Sequence, residues 1–364
     1  MQLGGYNREL PENPVSKELV RPVSISNNLP STDRWLRVVA AALFLMASLA
    51  LASEAQVAQP AAYDPLTTPA LEFEEFELAV DDAERGRRIP LCVHLPAGTS
   101  NLPTVLFSHG LGGSCQGNDY LARHWAARGY AAIFVQHPGS DDGVWKGKSG
   151  LQRMRALKNA ANAENFMARA KDIPAVLDQL TDWNALAGHR LEGRLDLSKI
   201  GMAGHSFGAM TTQSVSGMKL RGGRVDLREP RIDAALALSP NAPRRVDPSQ
   251  AFGSVEIPWM LMTGTRDVVP IGDADVESRL AVFKALPPGE KYELVLHDAE
   301  HSAFSDRELT SRDGERNANH HRAIQALSTA FWDAHLQGDP AALAWLEGNG
   351  PARILEGKDR WQRK

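Results

Sequence analysis

From residue 87 onward, short apolar runs alternate with stretches in which apolar residues recur every three or four positions. The runs Pro103–Phe107, Ala131–Val135, Ser198–Ala203, Ile232–Leu238, Trp259–Thr263 and Tyr292–Leu296 are short and predominantly apolar, which predicts strands of a buried sheet. Between them the period changes. Tyr120–Arg128 puts Leu121 and Trp125 on one helical face and meets Gly129 as a stop. Ile173, Val176, Leu177 and Leu180 form a second stripe, Glu277–Leu286 forms a third helix, and His320–Leu336 closes the series with Ile324, Leu327, Phe331 and Ala334 facing inward. Repeated strand–helix units predict an α/β fold with a mostly parallel central sheet and helices on both faces. Upstream, Leu71–Val80 and Arg87–Leu95, joined at Gly86, read as an antiparallel hairpin that opens the sheet. His137–Asn165 is polar, irregular and too long for a plain connection, so it is expected to be a long loop of the kind that serves as a lid or binding loop.

The beginning of the chain has a different character. Arg34 and Arg37 precede an apolar run from Val38 to Ala52, and Ala50-Leu51-Ala52 supplies a small-x-small cleavage site. That is the pattern of a secretory signal, so residues 1–52 are expected to be an N-terminal extension and signal peptide, an uncleaved N-terminal anchor being the alternative. The run is about 15 residues, short of the ~20 that span a bilayer, so no stable membrane span is expected after cleavage. Residues 53–70, rich in Ala, Pro and Thr, read as a linker, 71–350 as the α/β domain and 351–364 as a C-terminal tail. The expected location is periplasmic or secreted. Cys92 and Cys115 both fall in the exported part, where a disulfide is permitted, and they form the candidate pair.

Composition adds mainly exclusions. With 43% hydrophobic and 23% charged residues and a formal net charge of -4, the chain is an ordinary globular protein without the basic excess that nucleic acid requires. It has no internal repeat, zinc-type cysteine spacing or phosphate-binding glycine loop, and no mark of a particular oligomeric state.

Chemistry enters at Gly204-His205-Ser206-Phe207-Gly208. This Gly-x-Ser-x-Gly string follows one apolar run and precedes the small-residue helical stretch Ala209–Ser216, which gives strand, sharp turn and helix with a serine at the apex. A serine hydroxyl becomes a nucleophile only beside a base that is itself oriented by a third group. When the turn carries the serine, the expected chain order is Ser, acid, His. His297, His301, His320, His321 and His335 follow at sufficient distance. The last three belong to the closing helix. His301 sits in the loop after the last strand and is the expected base, with His297 a strand-end residue supporting the site. Asp267, just past the strand Trp259–Thr263, is the expected acid. Asp273 and Asp275 read as the acidic start of the next helix.

Two N-H donors are expected to hold the oxyanion, the backbone of Phe207 and that of Leu111 in His109-Gly110-Leu111-Gly112-Gly113, with His109 bracing the loop. Trp145 has two readings, a residue lining the acyl or alcohol pocket or an aromatic anchoring the loop, and it joins the candidate substrate-binding set. Lys146 and Lys148 read as solvated surface.

Taken together, Ser108-His109-Gly110-Leu111-Gly112-Gly113, Trp125-Ala126-Ala127-Arg128-Gly129-Tyr130, His137-Pro138-Gly139-Ser140-Asp141 and Ala330-Phe331-Trp332-Asp333-Ala334-His335-Leu336 resemble bacterial predicted dienelactone hydrolases, a branch of the α/β-hydrolase superfamily similar to platelet-activating-factor acetylhydrolases. The resemblance covers about residues 70–350 and implies an α/β-hydrolase fold and ester hydrolysis through an acyl-serine, with no metal or cofactor, on a small-molecule or lipid-like ester. It departs from that group at the nucleophile, where true dienelactone hydrolases use cysteine and this chain has Ser206. The dienelactone substrate therefore does not carry over. The same residues also suit a peptidase or amidase, related enzymes include polyester hydrolases, and a non-catalytic binding protein on this fold is the remaining class.

Overall fold

A computed structural model describes residues 62–69, 72–221, 223–243, 246–269, 271–306 and 317–364. The signal expected in residues 1–52, and most of the 53–70 linker, lie outside the described residues. The described fold belongs to the unit Tyr63–Lys364.

Its centre is a nine-stranded sheet. The hairpin β1 (Phe73–Asp82) and β2 (Arg87–Pro96) forms one edge, followed by β4 (Ala131–Val135), β3 (Leu102–Ser108), β5 (Leu195–His205), β8 (Ala234–Leu238), β9 (Trp259–Arg266) and β10 (Lys291–Glu300). The last strand, β11 (Arg360–Arg363), forms the other edge. A separate two-stranded ribbon pairs β6 (Lys219–Leu220) with β7 (Val225–Asp226). Neighbours from β4 to β10 run parallel, and the pairings β1–β2, β2–β4 and β10–β11 are antiparallel. The hairpin, the mostly parallel sheet and the helices on both faces are those expected of the α/β-hydrolase fold.

Successive strand residues point to opposite faces, and the core divides accordingly. Val105, Phe107 and Phe134 pack with α1 (Asp119–Arg128) and α7 (Ala318–His335), where Trp125 meets Trp332 edge to face at 5.9 Å. Such an aromatic pair contributes about 0.5–1.5 kcal/mol beyond its burial. On the other face, Leu106 and Ile133 pack with Ile173, Val176, Leu177 and Leu180 of α3 (Ala163–Ala185). Further along that sheet, Leu261 meets α6 (Val276–Ala285) through Val282 and Phe283, with α5 (Pro248–Phe252) beside it.

Three stretches differ from the expectation. The polar stretch 137–165 holds a 3-10 turn, Asp142–Val144, and an eleven-residue helix, α2 (Gly150–Ala160). Leu151, Met154, Leu157 and Ala160 recur every three positions in α2, a helical stripe among polar residues, yet only Ala160 is buried and Leu151 is 89% exposed. The tail joins the sheet, because β11 pairs with β10 and Trp361 stacks on Tyr292 with centroids 5.7 Å apart. Its four residues bring one apolar side chain, too little for a period. Before it come α8 (Pro340–Glu347) and a 3-10 turn. In the nominal linker, Tyr63 donates to Asp333 Oδ2 at 2.7 Å and meets the Trp345 ring edge.

Cys92 and Cys115 are bonded, tying β2 to the loop after β3. Among the described residues no helix is long and apolar enough to cross a membrane.

Candidate active site

Every residue singled out for chemistry lies just beyond the carboxyl end of a parallel strand, the end where open α/β sheets hold their ligands. Ser206 follows β5 and precedes α4 (Phe207–Val215), with φ 58° and ψ -112°. A side chain held at positive φ is strained and persists only where its surroundings impose it. Close packing on both sides imposes it here. A Cβ on Gly204 would lie 2.4 Å from the Gly208 carbonyl oxygen, and one on Gly208 would lie 1.8 Å from that of Ser108. The two glycines are required by contact, and the serine at the apex is thrust out of the turn.

His301 opens the 3-10 turn after β10 and faces that apex. Its Nε2 is 2.9 Å from Ser206 Oγ, and its Nδ1 is 2.7 Å from Oδ1 of the fully buried Asp267. Burial alone would raise the Asp267 carboxyl. The hydrogen bond and charge of His301, the Arg279 guanidinium and the Ser239 hydroxyl outweigh it and hold the carboxyl below its ordinary range. An ionised Asp267 accepts from Nδ1–H, which leaves the Nε2 lone pair to accept the Ser206 hydroxyl.

Three residues absent from the sequence reading fix Asp267. Ser239, just past β8 with φ 60°, and Thr263 in β9 donate to Oδ2 at 2.7 and 3.0 Å. Arg279 of α6 reaches Oδ1 at 3.1 Å and also donates to the carbonyls of Asp267, Ser239 and Pro240. Ser239, one residue beyond a strand end, had a readable signal. Arg279 had none, because it comes from a helix whose polar residues read as surface. Asp275, expected at the start of that helix, is its N-cap.

His205 lies against His301, with ring centroids 4.6 Å apart. Burial, and next the neighbouring His301, push His205 well below the usual histidine range. It stays neutral, so no like charge opposes an imidazolium on His301. The other late histidines take packing roles: His320 Nε2 bonds the His297 carbonyl, His321 stacks on Tyr120 and His335 Nε2 bonds the Tyr292 hydroxyl.

Ser206 opens on a cleft of about 450 Å³ whose walls include Leu111, Phe166, Phe207, Met210, Val269 and Ile271. The N-H of Phe207, the first residue of α4, has no intrahelical acceptor. Neither it nor the N-H of Leu111 finds a protein acceptor among the described residues. Trp145, placed in the substrate-binding set from sequence, is not among the cleft residues. Its Nε1 donates to the Gly112 carbonyl at 2.7 Å, and a Cβ on Gly112 would lie 2.6 Å from Leu157 Cδ2 and 2.9 Å from that Nε1. A loop of polar residues does not reveal which way its one indole turns.

Behind the Leu111 loop lies a second chain of the same residue types. Ser108 Oγ is 2.8 Å from His137 Nε2, and His137 Nδ1 is 2.8 Å from Asp172 Oδ2. All three are fully buried. Burial, and next the charge of Arg169, push His137 down to about 4, so it donates from Nδ1–H to Asp172 and accepts from Ser108. Arg85 and Arg87 pair with Asp172. His109 lies alongside, its Nδ1 2.7 Å from the Gly110 carbonyl while its Nε2 accepts from the His137 N-H at 3.0 Å. These two bonds brace the loop as expected.

No family model matches this sequence, and no curated protein matches it.

Proposed function

We propose that the chain is a serine hydrolase that cleaves carboxylic esters through an acyl-serine intermediate. The reading rests on one observation, the unbroken chain of hydrogen bonds from buried Asp267 through His301 to Ser206 at the mouth of an apolar cleft. In this reading Ser206 Oγ attacks the ester carbonyl carbon while His301 Nε2 takes its proton. The oxyanion so formed is met by the N-H groups of Leu111 and Phe207. His301 returns the proton to the departing alcohol, and water, activated by the same imidazole, releases the acid and regenerates Ser206. Asp267 keeps the imidazole in the required tautomer and stabilises its cation. No step calls on a metal or cofactor.

The mostly apolar cleft, with Asn162, Asn241, Asp273 and Arg279 also in its wall, favours a small-molecule or lipid-like ester. The Cys92–Cys115 bond supports export to an oxidising compartment, periplasmic or secreted. The likeness to dienelactone-hydrolase and acetylhydrolase sequences belongs to the same proposal, with serine in the nucleophile position. Replacing Ser206 by Ala is expected to abolish turnover of p-nitrophenyl butyrate with the circular dichroism spectrum and melting temperature unchanged. Wild-type turnover in that folded variant would refute the assignment. Preference for aminoacyl anilides over short esters in the wild type would place the activity with amidases.

A further inference from the structure

Arg169 is a guanidinium with no exposed surface, set in α3 directly behind the site. Its partners come from three separate segments. Nε donates to Thr211 Oγ1 at 3.0 Å and Nη1 to Ser140 Oγ at 2.9 Å. Nη2 donates to Ser108 Oγ at 3.0 Å and to the His109 carbonyl. The guanidinium carbon lies 4.8 Å from the centre of the Phe207 ring. Asp172 lies one helical turn away and is engaged by His137, Arg85 and Arg87. Every hydrogen bond that Arg169 makes among the described residues therefore goes to a neutral oxygen.

A buried cation without a contacting carboxylate is costly to desolvate, and a structural role alone would be met by smaller neutral groups. What these contacts share is their location. His109 is two residues before Leu111, and Thr211 lies one turn after Phe207 and bonds the Phe207 carbonyl at 3.1 Å. One rigid fork thus grips the loop that carries one oxyanion donor and the helix turn that carries the other. The Ser108–His137–Asp172 chain holds the fork's third acceptor in place.

We infer that Arg169 is a positioning residue that sets the spacing of the Leu111 and Phe207 N-H groups, with the buried Ser108–His137–Asp172 chain as its support. The inference rests on the ester-hydrolase reading of Ser206. Misplacing preorganised donors weakens binding of the transition state while leaving ground-state binding nearly intact.

The test compares wild type with Arg169→Lys and Arg169→Met in p-nitrophenyl butyrate kinetics and in affinity for an alkyl trifluoromethyl ketone, which mimics the tetrahedral adduct. Folding is checked by melting temperature. Loss of a single oxyanion donor costs about 10²–10³ in kcat, so misplacement of both is expected to lower kcat by about 30- to 100-fold. KM should stay within about threefold, and ketone affinity should fall by the same factor as kcat/KM. Lysine keeps the charge and loses the fork, so it should not restore kcat. Folded variants with unchanged kcat, full rescue by lysine, or a loss confined to KM would overturn the inference and leave the esterase reading intact. A wild type that neither turns over the ester nor binds the ketone would remove both. Should neither variant fold, Thr211→Val removes one arm of the fork, and a kcat loss of about three- to tenfold at constant KM is the expected result; no change would overturn the inference.

Discussion

Two chains of serine, histidine and aspartate lie side by side in this molecule with nearly the same geometry. In Ser206–His301–Asp267 the two contacts are 2.9 and 2.7 Å, and in Ser108–His137–Asp172 both are 2.8 Å. Distance therefore does not distinguish the proposed nucleophile from the buried serine. Access and electrostatics do. The His301 side chain keeps 20% of its surface exposed and faces a cleft, whereas that of His137 keeps none. Ser206 Oγ sits at a strained apex, and among the described residues its hydrogen-bond partner is the His301 imidazole. Ser108 Oγ takes an Arg169 N-H on the oxygen that would have to attack, which lowers its nucleophilicity and blocks the approach. The acid–base pairs differ as well. Burial and Arg169 hold His137 neutral down to about pH 4, so it cannot act as a base that gains a proton near neutrality.

The largest effects should separate the two serines. Ser206→Ala is expected to lower kcat for p-nitrophenyl butyrate by about 10⁶, the scale seen when a nucleophile is removed. Ser108→Ala should lower it less than tenfold and appear instead as a loss of about 1–3 kcal/mol in denaturant unfolding, the cost of a buried partner left unmet. Comparable losses of turnover in the two variants would erase the distinction.

The aspartates should divide in the same way at smaller amplitude. Asp267→Asn is expected to cost about 10⁴ in kcat, because an amide cannot hold the imidazole in the required tautomer. Asp172→Asn strands Arg85 and Arg87 beside a buried amide and should cost about 3–5 kcal/mol of stability, with kcat reduced far less than in Asp267→Asn. The pair is read by unfolding and steady-state kinetics on the same preparations.

The smallest effect is in pH. His137 titrates at about 4 in the folded protein and at about 6.5 when unfolded. Between those values the unfolded chain binds more protons, so stability is full above about pH 6.5 and declines as the pH falls toward 4. His109 and His205 are depressed in the same direction by burial. Unfolding free energies across this range should show that slope, and His137→Gln should reduce it by its own share, leaving that of the other buried histidines. An unchanged slope would mean that His137 does not hold its proton-free state in the fold.

This comparison also marks what the chain makes legible. The strand ends could be read because buried strands are predominantly apolar runs, and Ser206, Asp267 and His301 follow them in a fixed order. The parallel sheet was legible for the same reason, and the opening hairpin from two strand candidates joined at Gly86. Arg169, Asp172 and Arg279 were not, because each lies on a helix where a charged residue between apolar ones reads as an outward face. Only the packing shows that those faces turn inward behind the site. His137 was read as part of a polar loop, since its partners lie 29 and 35 positions away. Helix α2 escaped because its apolar residues, Leu151, Met154 and Leu157, lie three apart within a polar stretch that reads as loop. Trp145 was noticed, but which of its neighbours the indole serves is set by the Gly112 turn.

The central claim is that one serine of the two is the nucleophile, and covalent labelling tests it most directly. Folded wild-type protein treated with an alkyl fluorophosphonate and mapped by peptide mass spectrometry should carry one phosphonyl group, on Ser206, with Ser108 unmodified and no adduct in Ser206→Ala. A folded protein that remains unlabelled, or one that carries the adduct on another residue while Ser206 stays free, would contradict the account.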